Sequence, residues 1–104
     1  MRKIKISDDA YYDIEEMFSY ISADNKKVAS DLRKRIYTGI KGLMDFPFKY
    51  PAVKLEDAPG AQRGYRYMAV NPYIVFYRVL DDSIIVARVL HSRHNLLHLL
   101  FGYS

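Results

Sequence analysis

Three runs in the last third of the chain decide its fold: Gln62-Arg63-Gly64-Tyr65-Arg66-Tyr67-Met68-Ala69-Val70, Tyr73-Ile74-Val75-Phe76-Tyr77-Arg78-Val79-Leu80 and Ile84-Ile85-Val86-Ala87-Arg88-Val89-Leu90-His91-Ser92-Arg93. All three are rich in β-branched and aromatic residues, which suit a pleated surface. Asn71-Pro72 separates the first pair and Asp81-Asp82-Ser83 the second, so short antiparallel hairpins are expected. Each run carries arginine inside an otherwise apolar stretch. Unpaired charge is expensive to remove from water, so at least one sheet face is expected to be wet and cationic. Period-2 alternation places Ile74, Phe76, Arg78 and Leu80 on one face of the middle run and Tyr73, Val75, Tyr77 and Val79 on the other. In the last run it sets Ile84, Val86, Arg88 and Leu90 against Ile85, Ala87, Val89 and His91. Both faces are apolar enough that alternation does not identify the covered one.

Upstream, Arg2 to Ile6 alternates basic and apolar residues, which predicts a half-buried strand. Ser7 stands at an N-cap position, with Asp8 and Asp9 in the first turn where the helix dipole favours negative charge. Ile14, Met17, Phe18 and Ile21 then predict an amphipathic helix over 8–22. A second helix is expected over 26–45, with Val28, Ala29, Leu32, Ile36, Ile40, Leu43 and Met44 on one stripe and Pro47 ending it. So short a connection makes the two helices an antiparallel hairpin. Residues 46–61, with Pro47, Pro51, Pro59 and Gly60, read as a long surface loop. Asn95 to Phe101 reads as a last helical turn or docking tail. The order βααβββ defines an α+β domain, a helical hairpin packed on an antiparallel sheet with a short C-terminal tail.

The 104 residues have room for one modest core, so 1–104 is read as a single domain. The absence of cysteine excludes a disulfide framework and fits a cytoplasmic setting. Met1 to Ile6 lacks the apolar run of a signal peptide, and nothing approaches the length of a membrane span. The net charge of +4 suits an anionic partner. Acidic residues crowd the first helix and basic ones the second, although charge on an outer helix face is usually only solvated.

Three constellations could carry chemistry. Arg66, Arg78 and Arg88 could line a cationic, aromatic concavity for phosphate or acidic peptide, or could instead pair locally or reach the sheet edge. His91, Arg93, His94 and His98 could supply acid–base groups near neutral pH. His94 and His98 are spaced i, i+4, but no third ligand of the right type lies near, so no metal and no cofactor is expected. Tyrosine is abundant, at ten residues. Tyr65, Tyr67, Tyr73 and Tyr77 suit stacking or an interface as well as plain strand packing, and Tyr11, Tyr12, Tyr20 and Tyr37 are read as helix packing residues. No nucleophile–base–acid triad, phosphate loop or paired catalytic carboxylates can be read, so no enzymatic activity is assigned.

The pattern Arg63-Gly64-Tyr65-Arg66, Pro72 to Arg78, an acidic turn, and Ile84 to Arg93 resembles the RelE/ParE superfamily of toxins from bacterial type II toxin–antitoxin modules. The βααβββ order and the length are similar too. The resemblance implies one of two activities. RelE-like members are ribosome-dependent mRNA endoribonucleases, in which sheet cations stabilise charge developing on the phosphate; ParE-like members poison DNA gyrase. Of two alternate basic positions on the second strand of the RelE type, one matches Arg66 and the other Met68. A third falls on Ile74, and one after the last strand matches Arg93, beside His94. The C-terminal tyrosine position falls near Leu99 or Leu100, leaving Tyr103. Losing one preorganised donor commonly costs about 3 to 4 kcal/mol of barrier, so two apolar positions argue against RelE-type cleavage.

The ending His91-Ser92-Arg93 also looks more like the ParE branch. The expected function is therefore a ParE-like toxin of a plasmid-stabilising module acting on DNA gyrase. The alternative is a RelE-like endoribonuclease with an altered site built from Arg66, His91, Arg93 and His94. Arg63, Arg66, Arg78, Arg88 and Arg93 are the candidates for contact with target or antitoxin. The partners implied are a cognate antitoxin, and gyrase or the ribosome with its mRNA; a homodimer is also compatible, and no membrane is involved.

Overall fold

The computed structural model describes residues 2–53 and 64–93. In chain order the elements are β1 (Lys3–Ile6), α1 (Asp8–Ser22), α2 (Lys26–Gly42), β2 (Tyr65–Val70), β3 (Tyr73–Val79) and β4 (Ser83–His91). The expected helix 95–101 lies outside the described residues, as do Arg63, His94, His98 and residues 54–61 of the expected loop.

The two helices start as the sequence requires. Ser7 Oγ accepts from the Ala10 amide at 3.0 Å, and Asn25 Oδ1 accepts from the Val28 amide at 3.1 Å. The second helix ends at Gly42, three residues short of expectation. Beyond it the Leu43, Met44 and Asp45 amides donate to carbonyls three residues back, a tighter winding. The helices are tied together by Arg33, whose Nη1 donates to Glu15 at 3.2 Å while its guanidinium lies 3.6 Å from the Phe18 ring centroid.

The sheet order is β1-β4-β3-β2. The three C-terminal strands are antiparallel, as the short turns require, whereas β1 joins β4 in parallel, so the complete sheet is mixed. A parallel neighbour needs a long crossover, and here the helical hairpin supplies it. The core lies between helices and sheet: Ile14, Met17, Leu32, Ile36, Ile40 and Leu43 meet Met68, Val75, Tyr77, Ile84, Val86 and Val89. Gly39 makes one close approach possible. A Cβ there would stand 2.9 Å from Met68 Cε, so its absence lets the Met68 side chain lie against α2.

The covered face is thus the one bearing Tyr73, Val75, Tyr77 and Val79. On β4 simple alternation fails. Pairing runs Tyr77 to Val86 but Phe76 to Arg88, leaving Ala87 as an extra residue. This bulge resets the parity, so Val89 joins Ile84 and Val86 in the core and His91 pairs with Tyr73. Helix packing also differs from expectation at four residues. Val28 is half exposed, and Tyr11, Tyr12 and Tyr20 face outward, because the stripe buried by α1 runs through Ala10, Ile14 and Met17. The first part of the expected loop is anchored. Tyr67 N donates to Pro51 O and Val53 N to Tyr65 O, pairing residues 51–53 with the outer edge of β2.

Candidate functional site

The site grows from the end of β1. That strand stops at Ile6, yet β4 continues to His91, so the amides and carbonyls of β4 beyond Val86 lose their neighbour. Ser7 fills the first gap: its amide donates to Val86 O at 2.9 Å and its hydroxyl to Ala87 O at 2.8 Å, while the same oxygen caps α1. Asp13, in the second turn of α1, fills the next. Its Oδ2 accepts from the Val89 amide at 2.9 Å and from Arg88 Nε at 2.8 Å, and its Oδ1 accepts from Arg88 Nη2 at 2.9 Å. A carboxylate thus stands in for a missing strand and fixes the Arg88 guanidinium bidentately. This hydrogen bonding raises the Arg88 pKa against the opposing effect of burial.

Where α1 diverges from β4 a cleft of about 570 Å³ opens, lined by Glu16, Met17, Tyr20, Tyr73, His91 and Arg93 above the Asp13–Arg88 pair. Tyr73 and His91 stand opposite each other on β3 and β4 and meet edge to face, with ring centroids 5.1 Å apart. His91 Nδ1 accepts from the Arg93 amide at 3.0 Å. Burial, then the nearby Tyr20 and Glu16, raises the Tyr73 phenol pKa and keeps it a neutral donor. The cleft therefore presents two phenols, an imidazole, two carboxylates and two arginines around an apolar floor. Glu16 opposes a phosphate entering there, and Asp13 neutralises Arg88, which could otherwise attract one. A polypeptide segment with mixed side chains suits the cleft better.

Of the residues singled out in the sequence, Arg88, His91 and Arg93 come together in this cleft. Arg66 and Arg78 do not join them. Arg66 lies on the helix-covered side, opposite Tyr77, where Nη1 donates to Tyr50 O at 2.7 Å. Arg78 lies on the other face, with its guanidinium 5.6 Å from the Tyr65 ring centroid; its buried Nε has no hydrogen-bond partner among the described residues. Arg66, Arg78 and Arg88 therefore form no single concavity. Arg63 and His94 lie outside the described residues. Asp13, Glu16 and Tyr20 were not anticipated as site residues, although their i, i+3, i+7 spacing sets them beside the apolar stripe of α1. Among the described residues no group of three histidines or carboxylates is placed to hold a metal ion.

A helical hairpin on a four-stranded mixed sheet, with a cleft between the first helix and the last strand, defines a small α+β domain. The family model described as "ParE toxin of type II toxin-antitoxin system, parDE" matches residues 4–96, and the chain belongs to that family. Solved structures agree in fold. The chromosomal ParDE toxin–antitoxin system from P. aeruginosa superposes with a TM-score of 0.69 at 19% identity, covering 88% of this chain and 96% of that one. The YoeB dimer from Staphylococcus aureus gives 0.59 at 21% identity, covering 86% and 95%. A single-residue variant of YafQ from E. coli gives 0.57 at 17% identity, covering 88% and 93%. No curated protein sequence matches. Among the described residues no helix is long and apolar enough to cross a membrane.

Proposed function

We propose that this chain is a single-domain, ParE-like toxin that arrests growth by binding DNA gyrase in the cytoplasm, as part of a plasmid-stabilising module, and that it does not cut RNA. The observation that carries this reading is the state of two positions where RelE-like nucleases would hold cations. Met68 is 2% exposed and packed under α2, and Ile74 is a half-buried apolar residue. The remaining basic groups support the same view, since Arg88 is paired bidentately with Asp13 and Arg66, bonded to the Tyr50 carbonyl, lies apart from the cleft. The cleft then serves recognition, with Arg93, His91, Tyr20 and Tyr73 as contact residues. A cognate antitoxin would hold the toxin by laying a segment along the apolar groove beside the hairpin and over the basic sheet.

The nuclease alternative is favoured by one observation, that His91 and Arg93 share a cleft; Glu16 and Asp13 weigh against it there. Brief induction without antitoxin, with labelled thymidine and leucine followed together, separates the two. The gyrase reading expects DNA synthesis to fall first. An early fall in protein synthesis would overturn it.

A further inference from the structure

The end of the sheet remote from the cleft carries a second cluster that the proposed function leaves unused. The turn after α2 leaves two phenylalanines outside the core, Phe46 at 66% and Phe48 at 57% exposure. This turn is fixed in place. Tyr77 Oη donates to Pro47 O at 2.9 Å and Arg66 Nη1 to Tyr50 O at 2.7 Å, so the flanking backbone is clamped from the core side. Two guanidiniums converge on the exposed ring, Arg2 with its Cζ 5.4 Å and Arg66 with its Cζ 5.0 Å from the Phe48 centroid. Arg2 is itself oriented by its Nε donating to Leu80 O at 2.8 Å. Lys49 adds a third cation, 5.5 Å from the Tyr50 ring.

Neither Arg2 nor Arg66 forms an ion pair among the described residues, whose ion pairs are Lys27–Asp31, Arg33–Glu15 and Arg88–Asp13. Each guanidinium uses one donor on a backbone carbonyl and retains others, and the planar fork matches a carboxylate. Aromatic and arginine side chains held rigid at a surface are the composition of a protein-binding hot spot.

We infer that Arg2, Phe46, Phe48 and Arg66 form a docking surface for an acidic peptide segment of a partner protein, its carboxylates on the two guanidiniums that Phe48 holds and an apolar side chain against Phe46. A nucleic acid fits less well, because the Phe48 ring already carries cations where a base would stack. The inference is independent of whether gyrase is the target, and its test involves no gyrase.

The test is fluorescence anisotropy of the full chain with a labelled peptide of alternating glutamate and leucine, a lysine–leucine control and an oligothymidylate of equal length. The acidic peptide is expected to bind, to weaken as salt rises, and to lose about tenfold in affinity with Arg2→Gln or Phe48→Ser. Circular dichroism checks that each variant is folded, with Phe46→Ser as the substitute if Phe48→Ser is not. Equal binding by the folded variants, no binding of the acidic peptide, or tighter binding of the oligothymidylate would overturn the inference. So would a salt-resistant self-association that the same substitutions abolish, which would assign the surface to a second copy.

Discussion

Asp13 is the residue on which the site depends most, because one carboxylate serves both a backbone amide and a guanidinium. Its side chain is 11% exposed and that of Arg88 24%, so solvent screens the pair only weakly. Removing the charge leaves a partly buried arginine without compensation. Asp13→Asn is expected to lower stability by about 3 kcal/mol, read as a lower midpoint in urea unfolding; an unchanged midpoint would remove the carboxylate from its structural role. Arg93→Ala should instead leave stability alone and abolish growth inhibition, since its side chain lies on the cleft rim. Arg66→Ala cannot separate contact from structure, because it also frees the Tyr50 carbonyl. Tyr77, Tyr73 and Tyr37 all have phenol pKa values raised above the usual 10.0, chiefly by burial. A raised folded-state pKa means that the stability contributed is complete below pH 10 and is lost as pH rises through the folded value. Alkaline unfolding should therefore begin above pH 10 and move upward in Tyr77→Phe, relative to that variant's own stability at neutral pH. A pH profile identical in shape would contradict this.

At the scale of elements, the junction between β1 and α1 matters most. Ser7 ends a strand, caps a helix and closes the edge of β4 with one side chain. Ser7→Ala should cost about 1 to 2 kcal/mol and speed amide hydrogen exchange in the first turn of α1; unaltered exchange would show the cap to be dispensable. The start of α1 was legible because capping is a local signal, and Ser7 behaves as its chemistry demands. The bulge at Ala87 was not. It depends on the pairing of β4 with β3, so no periodicity within the last run could reveal that Val89 turns inward. The same slip hid the cleft, since unbroken alternation separates His91 from Val86 while the structure sets both on the helix side. The outward tyrosines of α1 were misread for a related reason: a 3.6-residue period identifies a buried stripe but not how wide it is.

For the molecule as a whole, βααβββ order and α+β class could be read from pattern alone, and the toxin family from resemblance. The parallel placement of β1 could not, because four alternating residues carry no direction. Which arginines share a surface depended on long-range packing: Arg88 proved to be paired with Asp13 in the cleft, and Arg66 to be anchored elsewhere by the Tyr50 carbonyl. Fold does not choose between the two toxic mechanisms, since function lies in the site. If the antitoxin covers the basic sheet, complex formation should weaken with salt, measured by titration calorimetry; salt-insensitive affinity would place binding in the apolar groove alone. The toxin is proposed to recognise gyrase without cleaving RNA, and this is the reading on which the cleft's role rests. Its most direct test is the purified chain added in parallel to a gyrase supercoiling reaction and to translating ribosomes whose mRNA is mapped by primer extension. Inhibited supercoiling, relieved by Arg93→Ala, is expected with intact mRNA; ribosome-dependent cuts in the mRNA with supercoiling undisturbed would overturn gyrase recognition.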